Sequence, residues 1–265
     1  MMFNFVYKDL DFAHKLDEHP KGAPDYQKHF HDFYELFYFI SGSAVYTVEE
    51  EYHDLNPGDA LLIQPGEHHY VNFKDDSTYE RYVLKFPERI LPDFVKQKFA
   101  DRSAFYLEAQ KAGPLFSKLD GLYETFSDSG EELYLLFSNT VAETVLTLCH
   151  SVPESKPFLA DNKMAPILQY INDHLSVPIS IEDLCREFYF SQSYICKEFR
   201  TYMKVSIMKY IRSKKIMAAH QHITKGMKPT KVAEMYGYSD YSTFYRTYLS
   251  VMGFPPSGNK NGKDE

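Results

Sequence analysis

The chain has 265 residues, 44% of them hydrophobic and 25% charged, with three cysteines and no tryptophan. That length exceeds the usual single domain and predicts two, and the composition is that of an ordinary soluble globular protein with a sizeable core. The formal net charge of −8 hides an asymmetry: residues 163–265 carry 15 Lys and Arg against 9 Asp and Glu, while residues 1–162 carry 14 against 28, so only the second half suits a polyanion.

In chain order, the opening MMFNFVYKDLDF lacks the basic and continuous apolar regions of a signal peptide. No run approaches the roughly 18 apolar residues of a membrane span. Cys149, Cys185 and Cys196 form no CxxC pair and read as free thiols, so a cytoplasmic protein is expected. Residues 29–86 read as β-structure: LFYFI (36–40), AVYTVEE (44–50), ALLIQ (60–64), HYVNF (69–73) and RYVLKF (81–86) are short, β-branched or aromatic runs. Turn signals such as Asn56-Pro57-Gly58-Asp59 and Pro65-Gly66 separate them, which predicts an antiparallel sandwich or barrel.

After Pro87 the pattern turns helical. In segment 131–150, Leu133, Leu136, Phe137, Thr140, Val141, Thr144, Val145 and Leu148 recur at helical spacing, a stripe that must pack on its own barrel or on the same helix of a second subunit. SVPESKPFLADN (151–162) has two prolines and no periodicity and reads as a linker. The expected organisation is therefore a β-rich domain with a candidate dimerisation helix over 1–150, a linker over 151–162 and an all-α domain over 163–258. The polar tail 258–265 reads as disordered. Within the last domain Ser180-Ile-Glu-Asp183 has the form of a capping box with Asp in the fourth place.

Two segments of that domain look like copies of one unit: ISIEDLCREFYFSQSYICKEFRTYM (179–203) and KPTKVAEMYGYSDYSTFYRTYLSVM (228–252). Leu184-Cys185 matches Val232-Ala233 at an offset of 48. Ile195 and Phe199 match Phe244 and Tyr248 at 49. Each copy is a short helix, a turn opening at Ser191 or Gly237-Tyr-Ser239, and a second helix, the grammar of a helix-turn-helix. Lys197 and Arg246 fall at equivalent places on the second helices, where either can reach a guanine edge. Gln192, Ser193 and Cys196 accompany the first, and Tyr241, Ser242 and Tyr245 the second, as candidate contacts to double-stranded DNA.

These C-terminal hundred residues resemble the DNA-binding domain of AraC-type transcription regulators. The likeness rests on the first unit (PISIEDLC, then YI and KEF), on Tyr210-Ile-Arg-Ser-Lys-Lys215 in the joining helix, and on VAEMYGYSDYSTFYRTYLSVMGFPPS in the second unit. The resemblance implies two helix-turn-helix motifs on one linking helix, reading major-groove segments about one turn (roughly 34 Å) apart. Lys215 stands where the family usually has Arg, Lys204 where it usually has Gly, and Leu249 where Lys is common.

The β-half resembles a cupin barrel, the sensor such regulators commonly carry. HxHxxxE at 29–35 with Gly42 is similar to the first cupin motif; Gly58, Pro65, Gly66 and His69 are similar to the second. Alternate strand residues share a face, so His29, His31 and Glu35 with His69 can meet in one interior. There they either bind a small effector, with Tyr38 and Tyr46 as walls for a ring, or hold a transition metal, or form a purely structural polar cluster. No cofactor is required by the first reading. The whole is expected to be an α+β protein: an antiparallel cupin-like barrel with flanking helices, then an all-α domain with two helix-turn-helix motifs. The expected function is a ligand-responsive transcription regulator, a homodimer without a membrane segment. Family habit implies a sugar-related effector and activation. The competing reading is a metal-dependent cupin enzyme with a helical appendage.

Overall fold

The computed structural model of the protein describes residues 2–20, 26, 28–49, 51–99, 104–107, 109–151, 164–203 and 205–257. The chain divides into two compact halves, Met1–Leu159 and Ala160–Glu265. Apart from Ser151, the expected linker 151–162 lies outside the described residues, as does the tail 258–265, and as do Lys204 and the side chains of Leu148 and Cys149.

Among the described residues, the N-terminal half carries nine strands in two sheets. Strands β1 (Phe3–Tyr7), β2 (Leu10–Asp17), β3 (Tyr34–Ser41), β6 (Ala60–Ile63), β8 (Tyr79–Phe86) and β9 (Ala104–Leu107) pair in the order β1-β2-β8-β3-β6-β9. β5 (Glu51–Asp54), β4 (Ala44–Val48) and β7 (His69–Phe73) form the second sheet in that order. Every pairing is antiparallel. The β1–β2 hairpin, which the turn signals do not announce, extends the sheet ahead of the strands read from the sequence.

Both faces of the central strands β3, β6 and β8 are largely buried, and their period-2 alternation sorts residues between two cores. Tyr34, Leu36, Ala60, Leu62, Tyr82, Leu84 and Phe86 belong to a core completed by Leu115, Phe116 and Leu119 of α2 (Ala109–Phe126). Leu133, Phe137, Val141 and Val145 of α3 (Gly130–Ser151) complete it from the other helix. Phe37, Phe39, Leu61, Ile63, Tyr79 and Val83 share the other core with Ala44, Tyr46 and Val48 of the three-stranded sheet. Four residues of the expected α3 stripe, Leu133, Phe137, Val141 and Val145, therefore pack on the protein's own barrel.

The C-terminal half is helical: α4 (Ala165–Asp173), α5 (Ile181–Phe188), α6 (Gln192–Met203), α7 (Ile207–Thr224), α8 (Pro229–Met235) and α9 (Tyr241–Met252). Ser180 caps α5 with a full capping box: its Oγ accepts from Asp183 N at 3.1 Å and Asp183 Oδ2 accepts from Ser180 N at 3.1 Å. The two repeats have separate cores that meet on one helix. Ile207, Tyr210 and Ile211 of α7 pack with Leu184, Ile195 and Phe199. One turn further, Ile216 and Ala219 pack with Val232, Ala233, Phe244 and Tyr248.

Candidate functional site

His29 precedes β3 and pairs with the first residue of β7: His29 N donates to His69 O at 3.1 Å, and His69 N to His29 O at 2.9 Å. This bridge brings ring nitrogens of His29, His31 and His69 within 4.8 Å of one another. Glu35, buried on β3, closes the group. Its Oε2 lies 3.1 Å from His31 Nε2 and 3.9 Å from His69 Nε2, and its Oε1 accepts from the Tyr46 hydroxyl at 2.9 Å.

The electrostatics follow from burial. His31 Nδ1 faces the Phe33 carbonyl at 3.0 Å, so the ring is held between that oxygen and the Glu35 carboxylate. His69 Nδ1 donates to Glu67 O at 2.9 Å, and its Nε2 is buried with no hydrogen-bond partner. Burial, outweighing the Glu35 carboxylate, pulls the His69 pKa down to about 3, so this ring is neutral near pH 7. Burial pushes Glu35 upward, but the His31 hydrogen bond and the neighbouring imidazole charge hold its carboxyl well below the usual range. The Lys85 ammonium adds to that effect. The donor set suits a divalent transition ion. Such an ion would take the place of the proton between His31 and Glu35, and the fixed Nδ1–H of His69 leaves its Nε2 lone pair available as a ligand.

Beside this group a cleft opens between the sheets. It is lined by Lys15, Tyr26, His29, Glu35, Phe37, Tyr46, Tyr70, Val71, Tyr79, Arg81, Val83 and Lys85. Of the candidates read from the sequence, His29, His31, Glu35, His69 and Tyr46 come together here. Tyr38 does not: three residues from Glu35 on a strand, it faces the helices and stacks on Phe116 at 4.6 Å between centroids. Lys15, Arg81, Lys85 and Tyr79 escaped sequence reasoning. The spacing of Arg81, Val83 and Lys85 at every second residue was the available signal, since it places two cations on one strand face.

In the C-terminal half, α6 and α9 are both twelve residues long, and Lys197 and Arg246 are the sixth residue of each. Both are exposed, as are Gln192, Ser193, Tyr241, Ser242 and Tyr245; Cys196 is half-buried against the first repeat's core instead of lying on the outer face. The helices start on equivalent caps, Ser191 Oγ accepting from Tyr194 N at 3.3 Å and Asp240 Oδ1 from Thr243 N at 2.8 Å. The turns differ. Gly237 sits at φ 75° in the second repeat, and its counterpart in the first is Tyr189, at φ 56° and 94% exposed. A tyrosine carries no turn signal, so this position was invisible in the sequence.

Among known proteins, residues 21–137 match the family described as AraC-like ligand binding domain and residues 184–261 the family described as helix-turn-helix domain. The chain is 26% identical over 239 residues to the arabinose operon regulatory protein of Escherichia coli, covering 88% of this chain and 82% of that one. It is 30% identical over 91 residues to the multiple antibiotic resistance protein MarA of Salmonella typhimurium, covering 34% of this chain and 72% of that one. The crystal structure of ToxT from Vibrio cholerae is similar over 95% of this chain and 96% of that chain, at 15% identity and a TM-score of 0.39, too loose a superposition to carry weight.

Proposed function

The chain belongs to the AraC-type family of transcription regulators, with a ligand-binding half and a helix-turn-helix half, and from that premise we propose how its parts divide the work. α6 and α9 enter successive major-groove segments of one duplex, with Lys197 and Arg246 as base-reading side chains and Gln192, Ser193, Tyr241, Ser242 and Tyr245 around them. The cleft beside His29, His31, Glu35 and His69 takes a small effector, with Tyr46 as one wall. The arabinose operon regulator among the relatives favours a sugar-related molecule. The effector acts by binding two states of the protein with different affinity, which changes how the basic half engages DNA. The protein is not an enzyme in this reading: the imidazoles and Glu35 orient a ligand. It works in the cytoplasm as a homodimer, consistent with the absence among the described residues of a helix long and apolar enough to cross a membrane.

The observation that carries the DNA-reading part is the equivalence of Lys197 and Arg246, two exposed cations at one position of a duplicated helix. Selection from a pool of random duplexes tests it. Enrichment of a sequence with two elements about one helical turn apart supports the reading, and a pool that stays random after selection at physiological salt sinks it. Light scattering of the purified chain reads the dimer; a monomer mass would remove that element.

A further inference from the structure

The cleft's chemistry says more about its ligand than "sugar-related". Lys15 of β2 lies directly opposite Arg81 of β8 in the strand register, and Lys85 follows two positions beyond Val83 on the same face. Like charges at opposed positions of an antiparallel pair repel. Arg81 is compensated: its guanidinium bonds Asp17 and lies over the Tyr79 ring, 4.6 Å from the centroid. Glu35 is engaged by His31 and Tyr46. Lys15 and Lys85 form no ion pair among the described residues, although Lys85 lies over the Phe33 ring, 5.4 Å from its centroid. Among the described residues no carboxylate comes within 4.0 Å of either ammonium, although Asp11 is opposite Lys85 in register. Burial, and then the charges of Lys85 and Arg81, make the ammonium form of Lys15 costlier, and the carboxylates of Asp11 and Glu35 offset this only in part. A further polar atom is unmatched among the described residues: the Tyr79 hydroxyl lines the same cleft, is almost wholly buried and has no hydrogen-bond partner there.

Two half-buried ammonium groups with no carboxylate in ion-pair range and an orphaned hydroxyl ask for the same thing, an acceptor-rich anion. Resting on the effector reading above, we infer that the cleft takes an anionic polyol, a sugar carrying a carboxylate or a phosphate. Its anionic group lies between Lys15 and Lys85, and its hydroxyls reach Tyr79 and Glu35. The tyrosines of the lining, Tyr26, Tyr46 and Tyr70, give the carbon skeleton an aromatic wall. A neutral sugar would leave the two ammonium groups as they are.

Thermal unfolding of the full chain without DNA tests this independently of transcriptional behaviour. At matched ionic strength, inorganic phosphate raises the melting temperature above its value in chloride, because an ion bound to the folded state stabilises it by mass action. Part of that rise comes from the basic C-terminal half, so the comparison that counts is with Lys15→Met/Lys85→Met. This variant loses the part due to the cleft and melts higher than wild type in chloride alone, its facing charges gone. Glucose 6-phosphate and glucuronate separate the phosphate and carboxylate sources, and each stabilises wild type more than glucose does. Charge removal weakens the preferred sugar by about tenfold or more. Equal stabilisation by glucose, or an anion response identical in wild type and the double variant, overturns the inference. Lys15→Gln alone, which keeps a polar side chain in the strand, provides the same comparison if the double variant fails to fold. Loss of DNA recognition with the anion response intact would overturn the regulator reading and leave this one standing.

Discussion

Lys215 Nζ donates to the main-chain oxygen of Tyr236 at 3.3 Å and also to that of Val177. Tyr236 ends α8 in the second repeat and Val177 precedes α5 in the first, so one buried ammonium on the shared helix α7 ties the two repeats together. The family resemblance expects Arg here; a lysine is a compact point charge whose three N–H groups can serve carbonyls lying in different directions. Lys215→Met should destabilise the C-terminal half by about 1.5–3 kcal/mol, the range for hydrogen bonds to a charged group, read by urea unfolding of the full chain. An unchanged midpoint would show that the strut carries no weight.

Arg246→Ala should cost about 1–3 kcal/mol of DNA affinity and relax preference at one base position, whereas loss of a phosphate contact weakens all sequences alike. Lys197→Ala should do the same at the other segment. Titrations against the selected duplex and single-base variants check both. A uniform loss across sequences would reassign these side chains to the backbone.

The turn residues invite opposite substitutions. Tyr189→Gly should stabilise by about 0.5–1 kcal/mol, because the left-handed region costs a tyrosine more than glycine's extra flexibility does. Gly237→Ala should destabilise: φ is 75° and the new Cβ would lie 3.2 Å from Pro178 Cδ. Midpoint shifts of the same sign for both would contradict the assignment.

Asp240 caps α9, and its hydrogen bonds from Thr243 hold its carboxyl below the usual value. A carboxylate depressed in the folded state adds stability above its unfolded pKa, about 3.9, and loses it as pH falls through the folded value. Asp240→Ser keeps a capping oxygen but removes this titration, so its melting temperature should fall less steeply than wild type below about pH 4. Parallel pH profiles would exclude the effect.

Supplied cobalt(II) should bind at His29, His31 and His69 and develop a d–d absorption band, which His69→Ala should lack. A spectrum unaffected by that substitution would leave the imidazoles as hydrogen-bonding groups.

The repeat was legible because its signal is internal: Leu184-Cys185 and Val232-Ala233 can be compared without knowing where either lies. The imidazole group was legible in part, since His29, His31 and Glu35 are close along one segment. The cationic face of the cleft was not. Lys15 and Arg81 are 66 residues apart, and only strand register brings them together. Tyr38 failed for the converse reason: nearness in sequence to Glu35 hid a strand parity that points it away. The role of Lys215 was hidden too, because burial of a lysine on a helix with little amphipathic contrast leaves no pattern to read.

The alternation along β8 has a mechanical consequence. Val83 and Lys85 look into the cleft, while Tyr82, Leu84 and Phe86, their immediate neighbours, bear on the core shared with α2 and α3. Nothing but one thickness of backbone stands between a ligand and the helix layer. On its far side Tyr82 stacks on Phe116 of α2, 5.5 Å between ring centroids, so any shift of β8 toward the cleft would loosen that contact. β8 is thus a single ply shared by the cleft and the helix layer, and neither side can be rebuilt without the other.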